Sequence, residues 1–126
     1  MTNQSNPATD TRQPGTVRVS SPDLFFGMRI RTVLKQLGYT VVLTKSSTEF
    51  SDHPDGIVLG LIDFNQPVNW LEFQPAIDGG LPIVAFGAHT NVAGFRAAKA
   101  AGVARVVSNG EFNRSLPDLA AKYSRK

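Results

Sequence analysis

From Thr16 onward, short apolar runs alternate with stretches of helical period, and this rhythm most constrains what the chain can fold into. The clearest run is Ile57–Asp63, IVLGLID, almost unbroken in apolar residues and closed by a carboxylate. Such a run predicts a strand buried on both faces, as a parallel sheet between helices provides. Shorter runs keep the same rhythm at Val17–Ser20, Tyr39–Thr44, Pro82–Phe86 and Val103–Val107. Ser21-Pro22-Asp23 opens a first helix, with Ser21 expected as N-cap, proline in the first turn and Asp23 near the positive end of the dipole. That helix is expected to reach Leu37 and stop at Gly38, with a core stripe of Phe26, Ile30, Val33, Leu34 and Leu37. A short helix is expected near Thr48–Ser51, within the polar stretch Lys45–Gly56. A weak helix over Asn69–Ile77 is interrupted by Pro75, and an Ala-rich helix over Thr90–Ala101 is stopped by Gly102. A final helix is expected from Ser115-Leu116-Pro117-Asp118 toward Tyr123. The order is (βα)5, which predicts an α/β fold: a doubly wound five-stranded parallel sheet of strand order 2-1-3-4-5.

Sheets of this kind gather ligands and chemistry beyond the carboxyl ends of their strands. That edge is expected to collect Ser20, Ser21, Asp63, Gly87, Ala88, His89 and Asn109, with Asp23 two residues beyond Ser21, in the first helical turn. Each residue also has a structural role open to it. Ser21 is explained by capping, Asp63 by bonding a nearby loop, and His89 by simple exposure. His89 beside the mouth of the sheet would serve as a proton donor or pH sensor. The only other histidine, His53, falls in a different loop, so no metal site is expected.

Composition removes several classes of function. The 126 residues suit one domain, divided here into a flexible polar tail over residues 1–15 and a single domain over residues 16–126. There is no cysteine, hence no disulfide framework, zinc–thiolate site or cysteine nucleophile. No apolar run approaches the roughly 18 residues of a membrane span, and the first fifteen residues lack the apolar core of a secretory signal. A cytoplasmic protein is expected. Thirteen Lys or Arg against ten Asp or Glu leave a net charge of +3 that is scattered along the chain, which argues against nucleic acid as partner. Gly79-Gly80 lacks the form of a phosphate-binding loop and reads as a turn, and no G-x-S-x-G elbow is present. No cofactor is expected. Trp70 reads as a packing anchor, and Lys122–Lys126 as a frayed charged end.

The stretch Asp55–Pro67, DGIVLGLIDFNQP, resembles the third strand of response-regulator receiver domains, where a proline follows the phosphoacceptor aspartate by four residues. Pro82–Ala88 is similar to that family's fourth strand and switch loop, and Ala100–Val107 to its helix end and fifth strand. The likeness spans Thr16 to Tyr123. It implies a flavodoxin-like, receiver-like fold and makes Asp63 the counterpart of the phosphoacceptor. The departures imply a degenerate, pseudo-receiver type. The family's two magnesium-binding acids fall at Ser20 and Ser21, its Thr or Ser after the fourth strand at Gly87, and its Lys after the fifth at Asn109. Two hydroxyls do not replace two carboxylates around a magnesium ion, unless Asp23 moves inward.

The expected function is that of a stand-alone signalling domain of two-component type. It would act through protein–protein interaction rather than as an enzyme or by phosphotransfer. No output domain is expected, because the last helix takes up the end of the chain. Two other readings stay open: a response regulator phosphorylated on Asp63, and a small-ligand sensor using the pocket beyond the strands. On the first helix, Phe25 and Met28 point away from the core stripe at about 100° per residue. They are expected to be covered by another protein or a second copy, with Arg29, Arg31 and Lys35 as a basic rim.

Overall fold

The computed structural model describes residues 15–44, 50 and 56–125. Residues 1–14 of the expected tail 1–15, His53 and, apart from Phe50, the short helix near Thr48–Ser51 lie outside them. Gly15 belongs to the fold, since its carbonyl accepts from Thr40 N at 3.0 Å.

The apolar runs become five strands: β1 (Thr16–Ser20), β2 (Thr40–Thr44), β3 (Ile57–Asp63), β4 (Ile83–Gly87) and β5 (Arg105–Ser108). Between and after them lie α1 (Leu24–Gln36), a 3-10 turn (Trp70–Phe73) leading into α2 (Gln74–Asp78), α3 (Val92–Ala101) and α4 (Asn109–Tyr123). All pairings are parallel and the sheet order is β2-β1-β3-β4-β5, as expected from the sequence. The strand order reverses between β1 and β3, where Ser20 lies opposite Ile62, the neighbour of Asp63. That reversal opens a crevice at the carboxyl edge, and Asp63 ends its central strand.

Burial explains the layering. Leu59 and Leu61 of β3 join Val17, Val19, Val84, Phe86 and Val107 under α1 and α4. Ile57, Ile62 and Ile83 face the other way, onto Phe50, Phe73, Ala76 and Leu81. A register irregularity between Thr16 and Val17, where β1 meets β3, lets Ile57 and Leu59 face opposite sides. Phe26, Phe86 and Phe112 knit α1, β4 and α4 together. The rings of Phe86 and Phe112 stack at 3.9 Å, and Phe26 lies 5.0 Å from Phe86. Trp70 packs partly buried against the α2 side, as its size predicted.

The helix ends depart from expectation in physically simple ways. Asp23, not Ser21, caps α1: its carboxylate accepts from Phe26 N at 3.1 Å. Leu37 leaves the core stripe and is 46% exposed, because it is the cap residue beyond the last helical turn. Gly38 and Gly102 stop α1 and α3 as expected, each at φ +95°. The expected weak helix over Asn69–Ile77 divides into the 3-10 turn and α2, and Pro75 starts α2 instead of interrupting it. The last helix begins at Asn109, with Ser108 accepting from Glu111 N at 3.1 Å. Pro117 therefore lies inside α4, on its exposed side, where the lost backbone bond faces water. The chain end is anchored, not frayed: Arg125 donates from its backbone N to Val58 O at 2.9 Å and from Nε to Ile57 O at 3.0 Å. Among the described residues no helix is long and apolar enough to cross a membrane.

Candidate functional site

Asp63 is brought to the crevice because β3 runs buried to its last residue, leaving its carboxylate only 4% exposed. A buried carboxylate must find donors, and the loops supply three. Oδ1 accepts from Asn65 N at 2.8 Å and from Asn65 Nδ2 at 2.7 Å. Oδ2 accepts from Ser21 Oγ at 2.7 Å. Ser21 thus lost its capping role to Asp23 and gained a bond across the switch point. Its Oγ also accepts from Asp23 N at 3.2 Å, which ties the β1–α1 turn to β3.

Asn65 was not singled out from the sequence, and it organises the site. Its Oδ1 accepts from Ala88 N at 3.0 Å and from Asn109 Nδ2 at 2.9 Å. Its Nδ2 reaches Asn109 Oδ1 at 3.0 Å as well as Asp63. One carboxamide therefore links the loops after β3 and β4 to the start of α4, with both donors and both acceptor positions in use. Only the turn was foreshadowed, since an Asp at a strand end commonly accepts from the backbone N–H two residues on; the bridge to Ala88 and Asn109 has no local signal.

Phe64, the residue between them, explains Gly87. Its ring is buried with Ala85 and Ala98 and meets Phe95 edge-on at 5.2 Å. A Cβ on Gly87 would lie 2.4 Å from that ring, and one on Gly94 2.6 Å from it. Gly87 is thus a close-approach position under Phe64, not a lining residue of the crevice. His89 is exposed and lines neither cleft beside Asp63.

Two clefts flank Asp63. One, of about 510 Å³, runs from Ser20, Ser21 and Asp23 past Thr44 to Asn69 and Glu72. The other, of about 290 Å³, lies among Asp23, Phe26, Asn65 and Asn109. Of the expected site, Ser20, Ser21, Asp23, Asp63 and Asn109 are brought together, and Gly87 and His89 are not. The described lining of the larger cleft includes Asp23, Asp63 and Glu72 and no Lys, Arg or His. A receiver-type fold implies a magnesium ion here, and the residues present do not fit one. Asp63 offers oxygens already bonded, Asp23 is engaged as a cap, and hydroxyls stand at positions 20 and 21. No three His, Cys, Asp or Glu converge to hold a metal ion among the described residues. Phe25, 90% exposed, and Met28, 46% exposed, stand on the outer face of α1 as the helical period predicted.

A five-stranded parallel sheet of this order is the flavodoxin-like fold that receiver domains share. Solved structures agree over most of the chain. A response regulator receiver domain protein from Clostridium thermocellum superposes with a TM-score of 0.72 at 14% identity, covering 86% of this chain and 93% of its own. The chemotaxis protein CheY4 of Vibrio cholerae gives 0.70 at 14% identity, over 86% of this chain and 98% of its own. A putative pilus assembly-related protein from Burkholderia pseudomallei gives 0.71 at 18% identity, over 94% of this chain and 98% of its own. At these identities the likeness is one of fold. No protein-family model and no curated protein matches the sequence.

Proposed function

We propose that the chain is a degenerate, pseudo-receiver signalling domain that acts by binding another protein and does not take up a phosphoryl group. The observation that carries this reading is the sealing of Asp63 by Asn65. Attack on phosphorus needs a carboxylate oxygen free to approach in line, with cations nearby to neutralise the equatorial oxygens. Oδ1 accepts two hydrogen bonds and Oδ2 a third, so only one lone pair, on Oδ2, is left without a donor. With no phosphorylation to report, the hydroxyl that receivers carry after the fourth strand has no task, and Phe64 fills the space against Gly87. The likeness to receiver-domain structures supports a place in signal transduction.

The test is incubation of the full chain with acetyl phosphate and Mg²⁺, read by intact mass. The expected result is an unmodified chain. A gain of one phosphoryl group that disappears in Asp63→Asn would make the chain a phosphorylated response regulator instead. The larger cleft favours a second reading. Its volume of about 510 Å³ lies within the range of about 300–1,000 Å³ usual for small-molecule sites, so a ligand sensor is the alternative. Thermal stabilisation of several degrees by one member of a metabolite set, lost in Ser21→Phe, would establish it.

A further inference from the structure

Helices α1 and α4 pack side by side on one face of the sheet, and their seam does not close. A groove of about 240 Å³ runs between them, floored by Phe26, Ile30, Val33, Phe112 and Leu116 and walled by Pro117. Arg29 of α1 and Arg114 of α4 border it, and neither forms an ion pair with any described residue. The groove is smaller than the roughly 300–1,000 Å³ of pockets that enclose small molecules, so it suits a single inserted side chain. Phe25 precedes Arg29 by four residues and so stands on the same side of α1, one turn nearer its start. With Met28 it extends the apolar surface beyond the groove. No Asp or Glu occurs in Leu24–Gln36, while Arg29, Arg31 and Lys35 are all exposed. At the groove itself, Arg29 and Arg114 give an apolar centre two basic borders, while Arg31 and Lys35 lie further round α1.

We propose that this α1–α4 groove docks an acidic segment of another protein, seated by one apolar anchor side chain with its carboxylates on Arg29 and Arg114. The proposal rests on the interaction reading above and names the chemistry of the partner. Charge decides among the occupants. A second copy related by a two-fold axis would set this basic face against itself. Residues 1–14 offer one carboxylate, Asp10, and no aromatic or branched aliphatic side chain to serve as anchor. An acidic segment carrying an aromatic or leucine anchor satisfies both the groove and its rim.

The test is selection of a phage-displayed random-peptide library on the immobilised full chain, run in parallel on the R29E/R114E double variant. Both arginines are exposed, so the variant should melt like the parent. Expected is enrichment of peptides with Asp or Glu around an aromatic or leucine on the parent, and of Lys or Arg peptides on the variant. A synthesised acidic winner should bind the variant about tenfold or more weakly and lose affinity as salt rises. It should also shift the amide resonances of Val33 and Asn113 in the parent. No enrichment above background, enrichment without acidic excess, or undiminished binding to the variant would each overturn the proposal. A parent dimer in sedimentation that the charge reversal alters would assign the face to a second copy. Peptide binding that emerges only after deletion of residues 1–14 would assign the groove to the tail. Phosphorylation of Asp63 alongside intact acidic selection would remove the unphosphorylated reading and leave the groove standing. Failed selection with Asp63 unmodified would remove the groove alone.

Discussion

Gly87 and Phe64 should behave as one packing unit, and a double-mutant cycle can show it. In Gly87→Ala the new methyl would begin 2.4 Å from the Phe64 ring, well inside contact distance. Two escapes exist, and both destabilise. If the ring stays, the site is overpacked, at about 1–3 kcal/mol. If the ring swings into the open cleft beside Asn91 and Ala97, a phenyl group that is now 3% exposed loses most of its burial, again about 2 kcal/mol. Gly87→Ala should therefore cost about 1–3 kcal/mol by either route. Phe64→Ala alone removes a buried ring and should cost about 3–5 kcal/mol. In that background the methyl at position 87 enters the vacated space, so Gly87→Ala should become neutral or stabilising. The predicted coupling is about 1–3 kcal/mol, against the roughly 0.5 kcal/mol scatter of independent sites. Urea unfolding of the four proteins, followed by far-UV circular dichroism, measures it. Additive costs for the two substitutions would refute the account of Gly87 as a position vacated for Phe64.

Further outcomes follow from the same geometry. Leu61→Asp should leave no cooperative thermal transition, because it puts an unpaired charge at a fully buried position in the central strand, against a typical stability of about 5–15 kcal/mol; a cooperatively melting variant would refute that placement. Asn65→Ala should lower stability by about 1–2 kcal/mol and speed hydrogen exchange at Ala88 N, which loses its acceptor; unchanged exchange there, read by NMR, would contradict the bridging role. Replacing Phe25 by Ser and Met28 by Gln should move stability by no more than about 0.5 kcal/mol while weakening partner binding; a large fall in melting temperature would place both residues in the core.

Particular residues show why the architecture was legible in the sequence and the site only partly so. Periodicity is set by burial, and burial repeats along an element. Ile57–Asp63 could be read as a doubly covered strand, and Phe25 as outward-facing, from spacing alone. Caps depend on one local hydrogen bond, and several side chains compete for it. Ser21 and Asp23 both suit the start of α1, and only the position of Asp63 in space decides. Once Ser21 is drawn across the switch point to that buried carboxylate, Asp23 is left to accept from Phe26 N. The last helix misled for a related reason. Ser115-Leu116-Pro117 has the form of a helix start, yet Ser108 caps α4 two turns earlier and Pro117 is tolerated on the solvent side.

The organising residue of the site was the least legible of all. Asn65 belongs to a loop, and its partners are Ala88 and Asn109, each more than twenty residues away in sequence. No local pattern encodes such a bridge. The losses at positions 20, 21, 87 and 109 were each visible as single departures from the receiver pattern, but a list of departures predicts only a weakened site. The structure joins them physically. Ser21 donates to Asp63 from a position where the receiver pattern has a second carboxylate. Asn109 pairs with Asn65 across the place where a lysine would reach, and Gly87 admits Phe64 where a hydroxyl would stand. At positions 21, 87 and 109, the residue present makes a bond or admits a packing contact within the sheet edge. These contacts support the proposed reading, in which the edge of the sheet is a surface recognised as it stands rather than one that must be switched on.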